Sequence, residues 1–108
     1  MMYDEEIIFD TPQLRHGKQW SHIAAKSTYE LRRYAKIIGL RVEWFQDKPG
    51  RPHFDVYSNK MRKYLLHLGA KQVERSYLLN YLKFHYGTET EKTEAIECEK
   101  NKNVECSG

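Results

Sequence analysis

Two segments, "STYELRRYAKIIG" (Ser27–Gly39) and "SNKMRKYLLHLG" (Ser58–Gly69), share one grammar: a serine, apolar residues at helical spacing, then a glycine. A serine N-cap accepts a backbone N–H that the first turn cannot satisfy internally, and a C′ glycine tolerates the left-handed turn that ends a helix. Glu30 stands three residues after Ser27, the spacing of a capping box, and Leu31, Tyr34, Ala35 and Ile38 share one helical face. Met61, Leu65 and Leu68 do the same in the second segment.

Short apolar runs flank both helices. "EIIFD" (6–10) is expected to be a buried strand ending in Asp10, "LRVEWFQ" (40–46) a strand with Leu40, Val42 and Trp44 on one side, and "HFDVY" (53–57) a third. "KQVERSYLL" (71–79) reads as a fourth strand, with "LLNYLKFHYG" a closing helix or a strand extension, while Pro12 and Gly17 make "TPQLRHGKQWSH" (11–22) a loop. The chain thus falls into two quasi-repeats of strand ending in Asp, capped helix, glycine and strand. The expected class is α/β, with α+β as the alternative: a small sheet of about four strands, two capped helices and βαβ-like units. Strand ends are where such proteins place ligands, which singles out Asp10 and Asp55.

The length of 108 residues suits one domain, and 40% hydrophobic residues allow a modest core, so a homo-oligomer is expected. Residues 1–86 form the expected domain. Residues 87–108 hold six Glu and three Lys with almost no large apolar side chain, and are expected to be a disordered acidic tail. Both cysteines, Cys98 and Cys106, fall there without zinc-ligand spacing and read as free thiols; the folded part has none, which argues against thiol catalysis. The remaining residues carry fifteen Lys/Arg against nine Asp/Glu, a balance that favours anionic partners. No apolar run approaches the roughly 20 residues of a membrane span, and the acidic start "MMYDEEIIFD" does not fit a secretory signal, so a cytoplasmic protein with no membrane partner is expected.

"HFD" concentrates the chemistry. Residues i and i+2 of a strand share a face, so His53 and Asp55 project together, and His22, His16 and Asp10 can join them. Two His and an Asp with open positions suit a transition metal or a general acid/base pair, although no HxxxH or HExxH motif is present; a plain surface His–Asp hydrogen bond is the simpler alternative. An anion site draws on more of the chain. The helix opened by Ser58 offers unpaired N–H groups, Arg62 lies one turn inside it, and Arg15, His16, Lys18 and Trp20 add charge and an aromatic face. Trp44 and Gln46 offer a stacking surface and an amide for a base edge. No RNP pattern, Gly-rich phosphate loop or nucleophile elbow appears.

The ordered set Asp10, Gly17-Lys18, Ser21-His22-Ile23-Ala24, Ile38-Gly39-Leu40, Trp44-Phe45-Gln46, His53-Phe54-Asp55 and Arg62 resembles the bacterial and phage family known as domain of unknown function 4031, over roughly residues 7–75. The family pattern has an Asp where Lys26 or its neighbour stands, a Tyr at Phe54, and Ser-Lys at Lys60-Met61. The lost acid and gained lysines weigh against a metal and toward an anion. The resemblance implies a site at these residues but no activity.

The expected function is therefore binding of a small phosphorylated, nucleotide-type molecule through Asp10, Arg15, His16, Lys18, Trp20, His22, Trp44, Gln46, His53, Asp55, Ser58 and Arg62, without a cofactor. A phage-encoded binder that sequesters a host signal in the host cytoplasm would fit. The alternatives are a hydrolase or phosphodiesterase using His22, His53 and Asp55, with or without a divalent metal, and a nucleic-acid-binding accessory protein.

Overall fold

The structure, a computed structural model, describes residues 3–100, which form one six-stranded sheet and four helices. The strands are β1 (Ile7–Asp10), β2 (Gln13–Arg15), β3 (Lys18–Ala25), β4 (Gln46–Lys48), β5 (Arg51–Val56) and β6 (Lys71–Val73). The helices are α1 (Thr28–Ile37), α2 (Asn59–His67), α3 (Arg75–Tyr86) and α4 (Glu89–Lys100). The sheet order is β4-β5-β3-β1-β6, with β2 paired to β3 beside this path.

Only β1 and β6 pair in parallel; every other ladder is antiparallel. The directions still make α1 a link between parallel strands, β3 and β4, with β5 inserted between them. Likewise α2 links β5 to β6 across β3 and β1. The helices therefore do join parallel strands, but never neighbouring ones. The fold is mixed α/β, and six strands replace the expected four or so.

Both capped helices form as the sequence implies. Ser27 Oγ accepts from Glu30 N at 3.2 Å and Ser58 Oγ accepts from Met61 N at 3.1 Å. Gly39 and Gly69 follow with φ of +91° and +100°, in the left-handed region where a Cβ is costly. Both helices lie on one face of the sheet, where Leu31, Tyr34, Ala35 and Leu65 close over Ile7, Phe9, Ile23, Ala25, Phe54 and Val56. A second cluster covers the opposite face, with Tyr3, Ile8 and Ala24 against Leu78, Tyr81 and Leu82 of α3 and Ala95 of α4. All four residues of β1 are buried because β1 is central and covered on both sides. The period of two then sorts the strand: Ile7 and Phe9 face α1 and α2, while Ile8 and Asp10 face α3.

Several expectations are corrected. Residues 11–22 are not a loop, because His16 and Gly17, at φ +50° and +77°, make a two-residue turn joining β2 to β3. Two consecutive positive φ values match the twist of a right-handed hairpin. The strand before α1 is thus β3 rather than β1, so the two halves are not a simple repeat. "LRVEWFQ" is not one strand either: Val42–Trp44 form a 3-10 turn, with Phe45 N donating to Val42 O at 3.2 Å. Leu40 is buried and Phe45 packs on the core, a spacing that alternation cannot produce. "KQVERSYLL" is strand only to Val73, and the remainder opens α3.

The segment expected to be a disordered tail is helical over Glu89–Lys100, packs on α3 and buries Ala95, whose carbonyl accepts from Tyr3 Oη at 2.7 Å. Cys98, expected to be a free thiol, is disulfide-bonded, and Asn80 Nδ2 donates to its sulfur at 3.2 Å. Cys106 lies outside the described residues. Among the described residues no helix is long and apolar enough to cross a membrane.

The α3 face also holds a histidine that ties the N-terminal residues down. His85 Nε2 donates to the Tyr3 carbonyl at 2.8 Å, between the rings of Tyr81 and Phe84. Burial lowers its pKa below the ordinary 6.5. The folded state then binds fewer protons than the unfolded one as pH falls past 6.5, so His85 makes stability decline on acidification through that window. The melting temperature is expected to fall between pH 7 and pH 5 by less in His85→Gln, which keeps a donor but does not titrate. An equal fall in both proteins would show that His85 is not the acid-sensitive group.

Candidate functional site

One region of the sheet gathers five of the twelve residues that the sequence singles out: Asp10, His22, Gln46, His53 and Asp55. His22 of β3 stands opposite Asp55 of β5, and the Phe9–Ile23 pairing places Asp10 of β1 beside His22 on the other side. All three side chains project toward the α3 side, as does His53, two residues before Asp55. Gln46 of β4 pairs with His53 and completes the row at the sheet edge.

Hydrogen bonds fix the orientation of each ring. Asp10 is buried and grips His22 twice: Oδ1 accepts from the backbone N at 2.6 Å, and Oδ2 accepts from Nδ1 at 2.7 Å. His53 Nδ1 donates to the Arg51 carbonyl at 2.8 Å. Acceptors at both Nδ1 atoms place the ring hydrogen there and leave each Nε2 with its lone pair. The two rings meet edge to face, with centroids 5.4 Å apart.

Both lone pairs converge on Asp55. His22 Nε2 and His53 Nε2 each lie 3.8 Å from Asp55 Oδ1. At that distance the contacts are not hydrogen bonds. Asp55 Oδ2 accepts from Gln46 Nε2 at 2.7 Å, but Oδ1 is buried with no donor, the one such side-chain atom among the described residues. A buried carboxylate oxygen without a donor is unfavourable by about 1–3 kcal/mol or more. An ion between three acceptors would remove that cost. Ligand atoms of His22, His53 and Asp55 all lie within 4.8 Å of one another, and among the described residues no other His/Cys/Asp/Glu trio has this arrangement. The Nδ1 contacts are those of metal-bound histidines, which donate their second nitrogen to a carboxylate or a carbonyl.

Two cavities adjoin the row. One, of about 180 Å³, is lined by Asp10, His22 and His53 together with Lys48, Arg51 and Arg75. No ion pair engages these three cations among the described residues. The other, of about 380 Å³, is lined by Trp20, Trp44, Phe45, Gln46, Asp55 and Tyr57, with Glu43. Asp55 therefore touches a cationic cleft through its histidine neighbours and an aromatic cavity directly.

The remaining expected site residues are placed elsewhere. Arg15 and His16 lie at the β2–β3 turn and line neither cavity. Lys18 stands over the Tyr57 ring, 4.8 Å from its centroid. Ser58 is occupied as the α2 cap. Arg62 is buried on the α2 side of the sheet, donating to Gln19 O at 2.8 Å and Asn59 Oδ1 at 2.6 Å, so its fork is used within the fold. Lys26, the substitution that weighed against a metal, pairs with Asp4 at 3.0 Å beyond the end of β3. Lys60 and Met61 sit on α2, on the opposite side of the sheet from the row. Neither departure bears on the trio.

Lys48, Arg51, Arg75, Phe45 and Tyr57 are among the lining residues absent from the expected site. Lys48 and Arg51 flank the turn "KPGR" and read as solvated turn residues, and Arg75 was expected in a strand rather than at the start of α3. For Lys48, Arg51 and Tyr57 the only signal is position, two residues from Gln46, His53 and Asp55 respectively; Arg75 carries none.

No curated protein and no solved structure matches the chain. The model of one family does, over residues 7–85, from the first residue of β1 into the last turn of α3 and so across every element of the row. With most of its length matched, the chain belongs to the DUF4031 family, described as protein of unknown function.

Proposed function

We propose that the chain is a divalent-metal-dependent hydrolase acting on phosphate esters, with His22 Nε2, His53 Nε2 and Asp55 Oδ1 as the metal ligands. One observation carries this reading: a buried, donor-less carboxylate oxygen faces two imidazole lone pairs whose other nitrogens are already bound. Two histidines and one carboxylate suit manganese, iron or zinc and leave positions for water and substrate. The ion supplies Lewis acidity and a water of lowered pKa.

The protein's own groups supply the rest. Asp10 positions His22, and Gln46 holds Asp55 by its second oxygen. Lys48, Arg51 and Arg75 line the same cleft and favour an ester that carries negative charge. Simple sequestration of a phosphorylated molecule uses these cations but gives the trio no task, so hydrolysis is the better reading.

Chelator-stripped protein is expected to take up one Zn²⁺ or Mn²⁺ per chain in a calorimetric titration, with a rise in melting temperature. It is then expected to hydrolyse p-nitrophenyl phosphate or bis(p-nitrophenyl) phosphate, and His53→Ala is expected to abolish turnover. Metal uptake without turnover of any ester would return the chain to the class of binders. No uptake at all would sink the centre.

A further inference from the structure

We propose that the aromatic cavity beside Asp55 seats the base of a nucleoside, so that the ester reaching the centre is a nucleotide; the substrate class rests on the reading above, while the seat itself rests on the cavity alone. The volume of about 380 Å³ lies within the range of small-molecule sites. Four aromatic side chains, Trp20, Trp44, Phe45 and Tyr57, form its walls.

Three of these walls are held in place without a ligand. Trp20 Nε1 donates to Arg15 O at 3.2 Å, and its ring lies 5.7 Å from that of Tyr57. Phe45 packs on Phe54 at 5.3 Å, with the Arg32 guanidinium 4.7 Å from its ring centroid. Trp44 is the open wall, 41% exposed. Flat surfaces fixed in advance suit a flat ring, since stacking on aromatics is available to every base. A purely apolar occupant is disfavoured by the polar edge. Gln46 gives its amide N–H to Asp55, leaving Oε1 to accept from a base N–H. Asp55 lines this cavity and also supplies the trio's carboxylate, so a ring seated here has its attached ester close to the centre.

Both tryptophans of the chain line this cavity, so their fluorescence reads its occupancy. Adenosine, guanosine, cytidine, uridine and ribose 5-phosphate would each be titrated into the EDTA-treated and the Zn²⁺-loaded protein. At least one nucleoside is expected to quench saturably in both forms, and ribose 5-phosphate is expected not to quench the EDTA-treated form. Trp44→Ala and, independently, Tyr57→Leu are expected to weaken that nucleoside roughly tenfold, with the circular dichroism of each variant confirming a folded chain. Zinc uptake without quenching by any nucleoside overturns the seat and leaves the metal centre standing. Quenching by a nucleoside in a protein that takes up no metal does the reverse.

Discussion

Asp55→Asn is expected to lower metal affinity by more than about a hundredfold while raising the melting temperature of the metal-free protein. The first half follows from ligand chemistry. Losing a partner that merely orients a ligand costs about 10–100-fold in affinity, so neutralising a ligand itself costs more. Asp10→Asn provides the graded comparison, because Asp10 touches His22 and not the ion's place; its loss is expected to fall within that 10–100-fold range. The second half follows from Asp55 Oδ1, which is buried with no donor between two lone pairs. In Asn the amide can keep its oxygen toward Gln46 Nε2 and turn its N–H groups toward His22 and His53, converting a repulsion into donor–acceptor contacts. Relief of about 1–3 kcal/mol corresponds to a gain of several degrees in a domain of this size. Adding Zn²⁺ should then reverse the ranking, since only the wild type gains from binding. A metal-free Asp55→Asn protein less stable than wild type would mean that the carboxylate serves the fold, and the centre would lose its main support.

The legible part of this site was the part written in local rules. Same-face projection of His53 and Asp55 needs only the period of a strand, and Asp10 was found because it ends one. What brings Asp10 to His22 is the β1–β3 pairing, and that depends on a hairpin turn at His16–Gly17, where the glycine alone looks like a break. The glycine there signals a positive φ, but histidine in the same conformation carries no comparable signal. The 3-10 turn was hidden for a related reason. Alternation in "LRVEWFQ" imitates a strand, and only the need to bring Phe45 onto the core and β4 to the sheet edge selects the turn. α4 is illegible because its amphipathic signal is weak: one buried alanine, a backbone carbonyl satisfied by Tyr3 and polar contacts from Asn80 to Cys98 and from Lys83 to Glu94 anchor it. The element that misled most was Arg62, whose place one turn into a helix suggested an anion and whose actual partners come from β3 and from its own helix.

Arg62 therefore sets a stability experiment rather than a binding one. Arg62 is 5% exposed and its guanidinium is met by three neutral oxygens: Gln19 O, Asn59 Oδ1 and, at 3.4 Å, Ser21 Oγ. Burial lowers its pKa, yet an arginine stays charged at any working pH, so those oxygens are what compensate the charge. Gln19 and Ser21 belong to the half of β3 that carries Trp20 and His22, so the fork fastens α2 to the strand from the face opposite the site. Arg62→Ala removes three donors, strands a backbone acceptor and opens a cavity, at a cost of about 2–4 kcal/mol, or at least about 10 °C in melting temperature. Arg62→Lys keeps the charge but cannot fork to three acceptors, and is expected to lose less and to remain folded for binding measurements. In that variant zinc affinity is expected to stay within about threefold of wild type, well under one pair's worth of interaction energy. Unchanged stability together with a phosphate affinity that falls tenfold or more would instead put Arg62 in the ligand site, and the division of the sheet into a structural face and a chemical face would fail.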